Sequence, residues 1–244
     1  AKTPALYEKT TMQYFSPDLV AQCDNQLLNE YLYYYYYRQE ALDAIQNAAE
    51  TRGEQIARIN QQMREALQTI DVKQHPEQAF DIWMQHYLCR ENSYMQSESQ
   101  KEKPHPRTPL TLTQFIEEPD TGGYAGVALD ILEAVNSSQS KRIVVSLTNN
   151  GTLDFLRPDD VIEISCDLSS QGLTPVKPRE VPQAQKNMIS CVKEYERLAV
   201  EAIMTQNRDV AVRALMAHPL IGSWCLATKL VHAYLDDPQY LHWH

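Results

Sequence analysis

Apolar residues recur at steps of three and four from Ile56 through Ile59, Met63 and Leu67 to Ile70, with polar residues between them. That spacing predicts a helix with one narrow apolar seam. Its start is marked by Thr51 and, three residues on, Glu54, the pattern in which hydroxyl and carboxylate satisfy backbone N–H groups reciprocally. Pro76 opens a second helix reaching toward Met95, with Phe80, Trp83, Met84, Tyr87 and Leu88 on its apolar face. Toward the C-terminus, Met188, Cys191, Val192, Tyr195, Leu198, Ala199 and Ala202 predict one long amphipathic helix that Asn207 to Asp209 punctuate. Val210 to Ala217 predict a short helix ended by His218-Pro219, and Trp224, Leu230, Val231 and Tyr234 mark the last one.

The period changes to two in one place only. Lys141 to Thr148 is β-branched and strand-length, Asn149-Asn150-Gly151 signals a turn, and Val161 to Leu168 alternates apolar with polar residues. Before them, Gly122-Gly123-Tyr124 leads a short helix with Val127, Ala128, Ile131, Leu132 and Val135 on one face. Lys101 to Pro109 is charged and proline-rich, and residues 101–119 are expected as a surface loop. The sum is an α+β chain, mainly helical, with a small sheet around residues 141–168, treated as one domain over 1–244.

Residues 27–38 stand apart, with six tyrosines within seven positions. Ser16-Pro17 predicts a helix start, from which a helix runs to about Ala49 with a break near Asn29, placing Leu28, Tyr31, Tyr35, Leu42 and Ile45 on one side. Tyr31, Tyr34 and Tyr35 then share a face, whereas Tyr33 and Tyr37 point elsewhere. Two readings follow: a packing stripe, since each ring buries a large area, or a surface of phenol hydroxyls. Arg52 adds a second oddity, because the first turn of a helix disfavours a cation.

Composition narrows the classes. Only 7 glycines favour long helices, and a formal charge of −10 argues against a nucleic-acid scaffold. No apolar run is long enough to span a bilayer and the first residues carry no hydrophobic signal region, so a cytoplasmic protein without membrane partners is expected. The 5 cysteines are scattered, with no Cys-x-x-Cys pair, and the histidines have no partners at metal spacing. Glycine-rich phosphate turns, nucleophile elbows and metal helices are absent from the sequence, so no residue here is assigned to a cofactor or a metal.

The order of several motifs carries more. Tyr31-Leu32 with its tyrosine run, Thr51-Arg52-Gly53-Glu54, Gly122-Gly123-Tyr124 with Ala128-Leu129-Asp130, and Asn149-Asn150-Gly151-Thr152-Leu153 come in sequence. Leu156 to Asp160 before Val161, Tyr195-Glu196 with Val200-Glu201-Ala202, and His218-Pro219-Leu220 follow. Together they resemble the C-terminal half of the 6-phospho-β-glucosidases of glycoside hydrolase family four. The chain departs from that pattern at Leu28, where proline is common, and at Tyr33, where arginine is common.

The resemblance implies a reaction in which NAD oxidises carbon 3 of a phosphorylated β-glucoside and a divalent metal, usually manganese, polarises the ketone. A tyrosine then removes the carbon 2 proton and the aglycone leaves by elimination. It implies Tyr31 as the base, with Tyr35 the fallback, Arg52 as a fork-shaped donor to the base or to a substrate phosphate, and Tyr124 and Asn150 as neighbours of the sugar. It also implies an N-terminal nucleotide-binding half ahead of the matched region and assembly as a homo-oligomer. Without that half, the chain is expected neither to bind NAD tightly nor to hydrolyse substrate. The alternative is a non-catalytic helical module whose apolar faces serve assembly.

Overall fold

The computed structural model describes residues 11–23, 27–103, 105–117, 123–137, 139–238 and 242–243. Gly122 of the glycine pair, and residues 104, 118 and 119 of the expected loop, lie outside these. Where the sequence reading treats 1–244 as one domain, the chain divides into two compact units, 1–119 and 120–244, each described by itself.

In the first unit the helix expected from Ser16 to Ala49 is several pieces. Helix α1 (Pro17–Gln22) begins as predicted, with Ser16 Oγ accepting the Leu19 N–H at 3.2 Å. After it come a 3-10 turn at Glu30–Leu32, α2 (Tyr33–Tyr36) and α3 (Arg38–Asn47). The break between α2 and α3 falls at Tyr37, whose φ of −120° and ψ of 43° leave the helical region. Tyr33 and Tyr37 pack on the core, stacked 4.9 Å apart. That core gathers Tyr14, Phe15, Val20, Cys23, Leu28, Ala41 and Met95 around Tyr33.

Helix α4 (Arg52–Gln68) carries the predicted capping box: the Glu54 N–H reaches Thr51 Oγ1, and the Thr51 N–H reaches Glu54 Oε2 at 2.7 Å. It packs against α5 (Pro76–Asn92), which ends three residues short of Met95, and Ile59 and Met84 are the buried members of the two expected faces. One further turn, α6 (Gln96–Ser99), packs on α3. Residues 101–119 are not wholly loop, because Leu112–Glu117 form α7 and Phe115 closes on Phe80 and Trp83 at 5.3 and 5.5 Å.

The second unit starts with α8 (Gly123–Asn136), which lies on the sheet through buried Ala134 and half-buried Ile131. Val127, Leu132 and Val135 of its expected face are exposed, so the buried line runs beside the predicted one. Strands β1 (Lys141–Thr148) and β2 (Val161–Ser169) pair antiparallel from Lys141↔Leu168 to Thr148↔Val161, as the alternation requires. A third strand, β3 (Gly172–Pro175), extends the order β1-β2-β3 beyond the predicted limit. Its proline sits at the sheet edge, where a missing N–H is tolerated, and Gly172 at φ 107° takes a backbone closed to other residues. Helices α9 (Gln183–Thr205), α10 (Arg208–Ala217) and α11 (Trp224–Leu235) pack in succession; Asn207 caps α10, and Val212, Ala227 and Val231 form the buried seam. No described helix is long and apolar enough to cross a membrane.

Candidate functional site

The tyrosine run divides its labour. Tyr33, Tyr36 and Tyr37 pack round Phe15 with ring centroids 6.2 to 6.4 Å away, so the packing-stripe reading holds for these three. Their hydroxyls are used locally: Tyr37 accepts the Ser16 N–H at 2.8 Å, and Tyr36 meets the Cys23 thiol at 3.5 Å. Burial first, and that thiol second, push Tyr36 up to about 12.

Tyr34 also packs against this core, as does Tyr94, whereas Tyr31 is exposed. Asn29 fixes the start of the 3-10 turn by accepting the Tyr31 N–H at 2.9 Å, and with three residues per turn Tyr31 and Tyr34 fall on one edge. The Tyr31 ring is 63% exposed. The Tyr34 hydroxyl donates to Glu98 Oε1 at 3.1 Å. Tyr14 holds this wall from behind, donating to the Tyr94 carbonyl at 3.2 Å. Tyr35, the fallback base, does not join the group: it is 41% exposed and lies edge-on against Tyr36 at 5.1 Å.

Arg52 resolves its own oddity. At the first turn of α4 it opposes the dipole of its own helix, but its guanidinium crosses to the C-terminal end of α5, where carbonyls point outward and a cation is favoured. Nη2 donates to the Arg90 carbonyl at 2.7 Å and Nη1 to Ser93 Oγ at 2.8 Å, with a further bond to Gln55. The phenol whose ionisation it favours is Tyr34. That influence is outweighed by burial, the largest effect, and then by the Glu98 carboxylate, which hold the Tyr34 proton firmly above the ordinary phenol range. Tyr94 is raised chiefly by burial, with Tyr31 and then Glu30 adding to it.

The two remaining sequence-derived positions belong to the second unit. Tyr124, on the first turn of α8, is 98% exposed. Asn150 is exposed, with a left-handed φ of 43° in the turn after β1, followed by Gly151 at 82°. Its neighbour Asn149 is the buried one. Asn149 Nδ2 reaches the Leu153, Leu156 and Arg157 carbonyls at 2.9, 3.4 and 3.1 Å, and Oδ1 accepts the Leu153 N–H at 2.7 Å. Asp160 closes the same loop by accepting Arg197 Nε and Nη2 at 2.9 and 2.6 Å, and Arg197 before all else lowers its pKa.

Three polar residues escaped the sequence reading: Ser93, Tyr94 and Glu98. They lie in a stretch without apolar period, and Ser93 meets Arg52 and Glu98 meets Tyr34 across 41 and 64 residues, so only the fold brings them together. Among the described residues no three His, Cys, Asp or Glu side chains converge as metal ligands, and none forms a glycine-rich phosphate turn.

Against known proteins, residues 7–221 match the model of the family 4 glycosyl hydrolase C-terminal domain. A 6-phospho-β-glucosidase of Thermotoga maritima is 27% identical over 114 residues, covering 47% of this chain and 28% of the relative. A maltose-6′-phosphate glucosidase of Clostridium acetobutylicum is 28% identical over 113 residues, covering 46% and 26%. The solved 6-phospho-β-glucosidase of Thermotoga maritima with manganese, NAD+ and glucose-6-phosphate superposes with a TM-score of 0.62 at 20% identity, over 98% of this chain and 48% of that one. The chain thus spans about half the length of that solved relative.

Proposed function

The chain belongs to the family 4 glycosyl hydrolases, as their C-terminal domain, and from that premise we propose that it is the base-bearing half of a 6-phospho-β-glucosidase. The observation that carries the reading is the exposure of Tyr31, 63%, at the motif position of the family's base. In an intact enzyme of this family, NAD and manganese would supply the redox and Lewis-acid chemistry. What this chain contributes is an acceptor for the carbon 2 proton. A phenol near pKa 10 is protonated at neutral pH, so the base needs stabilisation of its anion, and a hydroxyl that donates without ionising, such as Tyr94, is suited to give it.

Arg52 acts here as a brace rather than a free phosphate clamp, since its donors go to α5 and to Gln55. Tyr124 and Asn150 are proposed as sugar neighbours through their motif positions alone.

The test is turnover of p-nitrophenyl 6-phospho-β-glucoside with NAD, manganese and a reductant, the α-anomer serving as contrast. The 244-residue chain alone is expected to be inert, and the chain joined to its family's N-terminal half to prefer the β-anomer. Turnover by the chain alone refutes the need for another half. An inert joined protein that is folded and loaded with NAD refutes the glycosidase reading.

A second reading has its own support. Val200, Ile203 and Met204 are exposed on α9, with Met204 at 78%, as an assembly face would be. Mass against concentration in analytical ultracentrifugation separates the two: a non-catalytic module associates yet stays inert when joined.

A further inference from the structure

In the second unit, the loop after β1 and the segment between β3 and α9 enclose a cavity of about 320 Å³. One wall is Gly151 to Phe155, and the other is Lys177 to Val181 with Lys186 from α9. Both walls are stiff. The fully buried Asn149 side chain fastens the first through its bonds to Leu153, Leu156 and Arg157. The second leaves the sheet with the Val176 N–H donating to the Ser165 carbonyl at 2.8 Å. Pro178 and Pro182 then fix two φ angles, and Lys177 and Val181, each preceding a proline, are restricted toward extended backbone. Groups carried on such walls lose little freedom when a ligand arrives.

The charges lining the cavity are not spent on one another. Elsewhere in this unit cations meet carboxylates: Lys141 pairs with Asp130 and Glu133, Arg142 with Asp167, and Arg197 with Asp160. Lys177 and Arg179 share their cavity with Asp154 and Glu180, yet among the described residues the ammonium and the guanidinium make no ion pair or hydrogen bond. Lys186, half-buried, holds its ammonium 5.6 Å from the centre of the Phe155 ring instead of on a carboxylate. In a chain of formal charge −10, carboxylates are in surplus, and three cations around one cavity that none of them neutralises are available to an anion from outside.

We propose that this cavity is a binding site for a small phosphorylated sugar. The planar Arg179 fork and the ammoniums of Lys177 and Lys186 donate to the phosphate, whose several acceptor oxygens match several donors. Asp154 and Glu180, open to water on the same rim, accept from sugar hydroxyls, a role for carboxylates that a bare anion would leave repulsive. The Phe155 ring offers an apolar face to the C–H side of the sugar. The volume is at the small end for ligand pockets and suits a monosaccharide. The proposal needs only residues of the second unit and holds whether or not Tyr31 is the base.

The experiment is an amide NMR titration of the full chain, at constant ionic strength, with glucose 6-phosphate, inorganic phosphate and glucose in turn. Glucose 6-phosphate is expected to shift the Gly151, Thr152, Phe155 and Lys186 amides saturably, with a Kd about tenfold or more below that of either other probe. Arg179→Gln and Lys177→Gln remove exposed, unpaired charges that the fold does not use, and each is expected to weaken binding by about tenfold. Arg142→Ala, which removes an equally exposed cation outside the cavity, is expected to leave the Kd unchanged. The proposal is overturned if these amides show no saturable shift, if Arg179→Gln binds as the wild-type chain does, or if inorganic phosphate binds as tightly as glucose 6-phosphate, which would mark a general anion trap.

Discussion

Two buried polar clusters, one in each unit, follow opposite rules. In the second unit Asn149 is 0% exposed and Asp160 nearly so, and every polar atom of both side chains is spent. The turn backbone there goes left-handed at Asn150 and Gly151, residue types that tolerate it. In the first unit Glu98 is as deeply buried, but one oxygen is unpaired, and the left-handed positions beside it are Met95 and Gln100, which do not tolerate it well. A satisfied network in relaxed backbone is what stability alone produces. An unsatisfied one in strained backbone persists when something other than stability keeps it. Asn149 and Asp160 are accordingly read as the fastening of the β1–β2 connection, and Glu98 as part of the site.

The comparison breaks most readily at Asp160. Asp160→Ala leaves Arg197 without its carboxylate and the Arg157 N–H without its acceptor, and is expected to cost the second unit about 3 kcal/mol, read from denaturant unfolding. Asn149→Ala strands the Leu153 N–H and three carbonyls and is expected to cost about 2 kcal/mol by the same measurement. Glu98→Gln, equally buried, should change unfolding by about 1 kcal/mol or less, because the group it alters was never fully satisfied. A loss as large as that for Asp160 would erase the distinction between the clusters.

Acid sharpens the contrast. The folded pKa of Asp160 is depressed, chiefly by Arg197, so its contribution is fully present above the unfolded carboxylate value near 3.9 and is lost as pH falls through the lower folded one. His218 has the same sign: burial depresses its pKa, so its contribution is present above the unfolded value near 6.5 and is lost as pH falls through the folded one. Stability of the second unit should therefore fall on acidification, and Asp160→Asn should flatten the limb below about pH 4. The smallest effect is expected at Arg142 and Asp167, a cross-strand pair open to water: Arg142→Ala should leave the unfolding midpoint in place.

What could be read in advance had local causes. The Thr51–Glu54 box, the Ser16 cap and the punctuation at Asn207 each depend on residues within four positions of one another, and the structure keeps them all. What could not be read depended on distant partners or on short elements. Strand β3 is four residues with a glycine and a proline, the kink at Tyr37 answers to Phe15, and α7 is held by Phe80 and Trp83. At the candidate site Tyr31 and Arg52 were visible as motif positions, whereas Ser93, Tyr94 and Glu98 were not. No glycine marks the left-handed positions around them, and an isolated glutamate in a polar stretch reads as solvated.

The central claim is that one exposed phenol takes the carbon 2 proton. It is tested most directly by exchange of that proton with solvent deuterium during turnover by the joined enzyme, comparing Tyr31→Phe with Tyr35→Phe. The account predicts that Tyr31→Phe lowers exchange and turnover together by about a thousandfold while Tyr35→Phe retains most of both. Full exchange in Tyr31→Phe, or its loss in Tyr35→Phe alone, would contradict it.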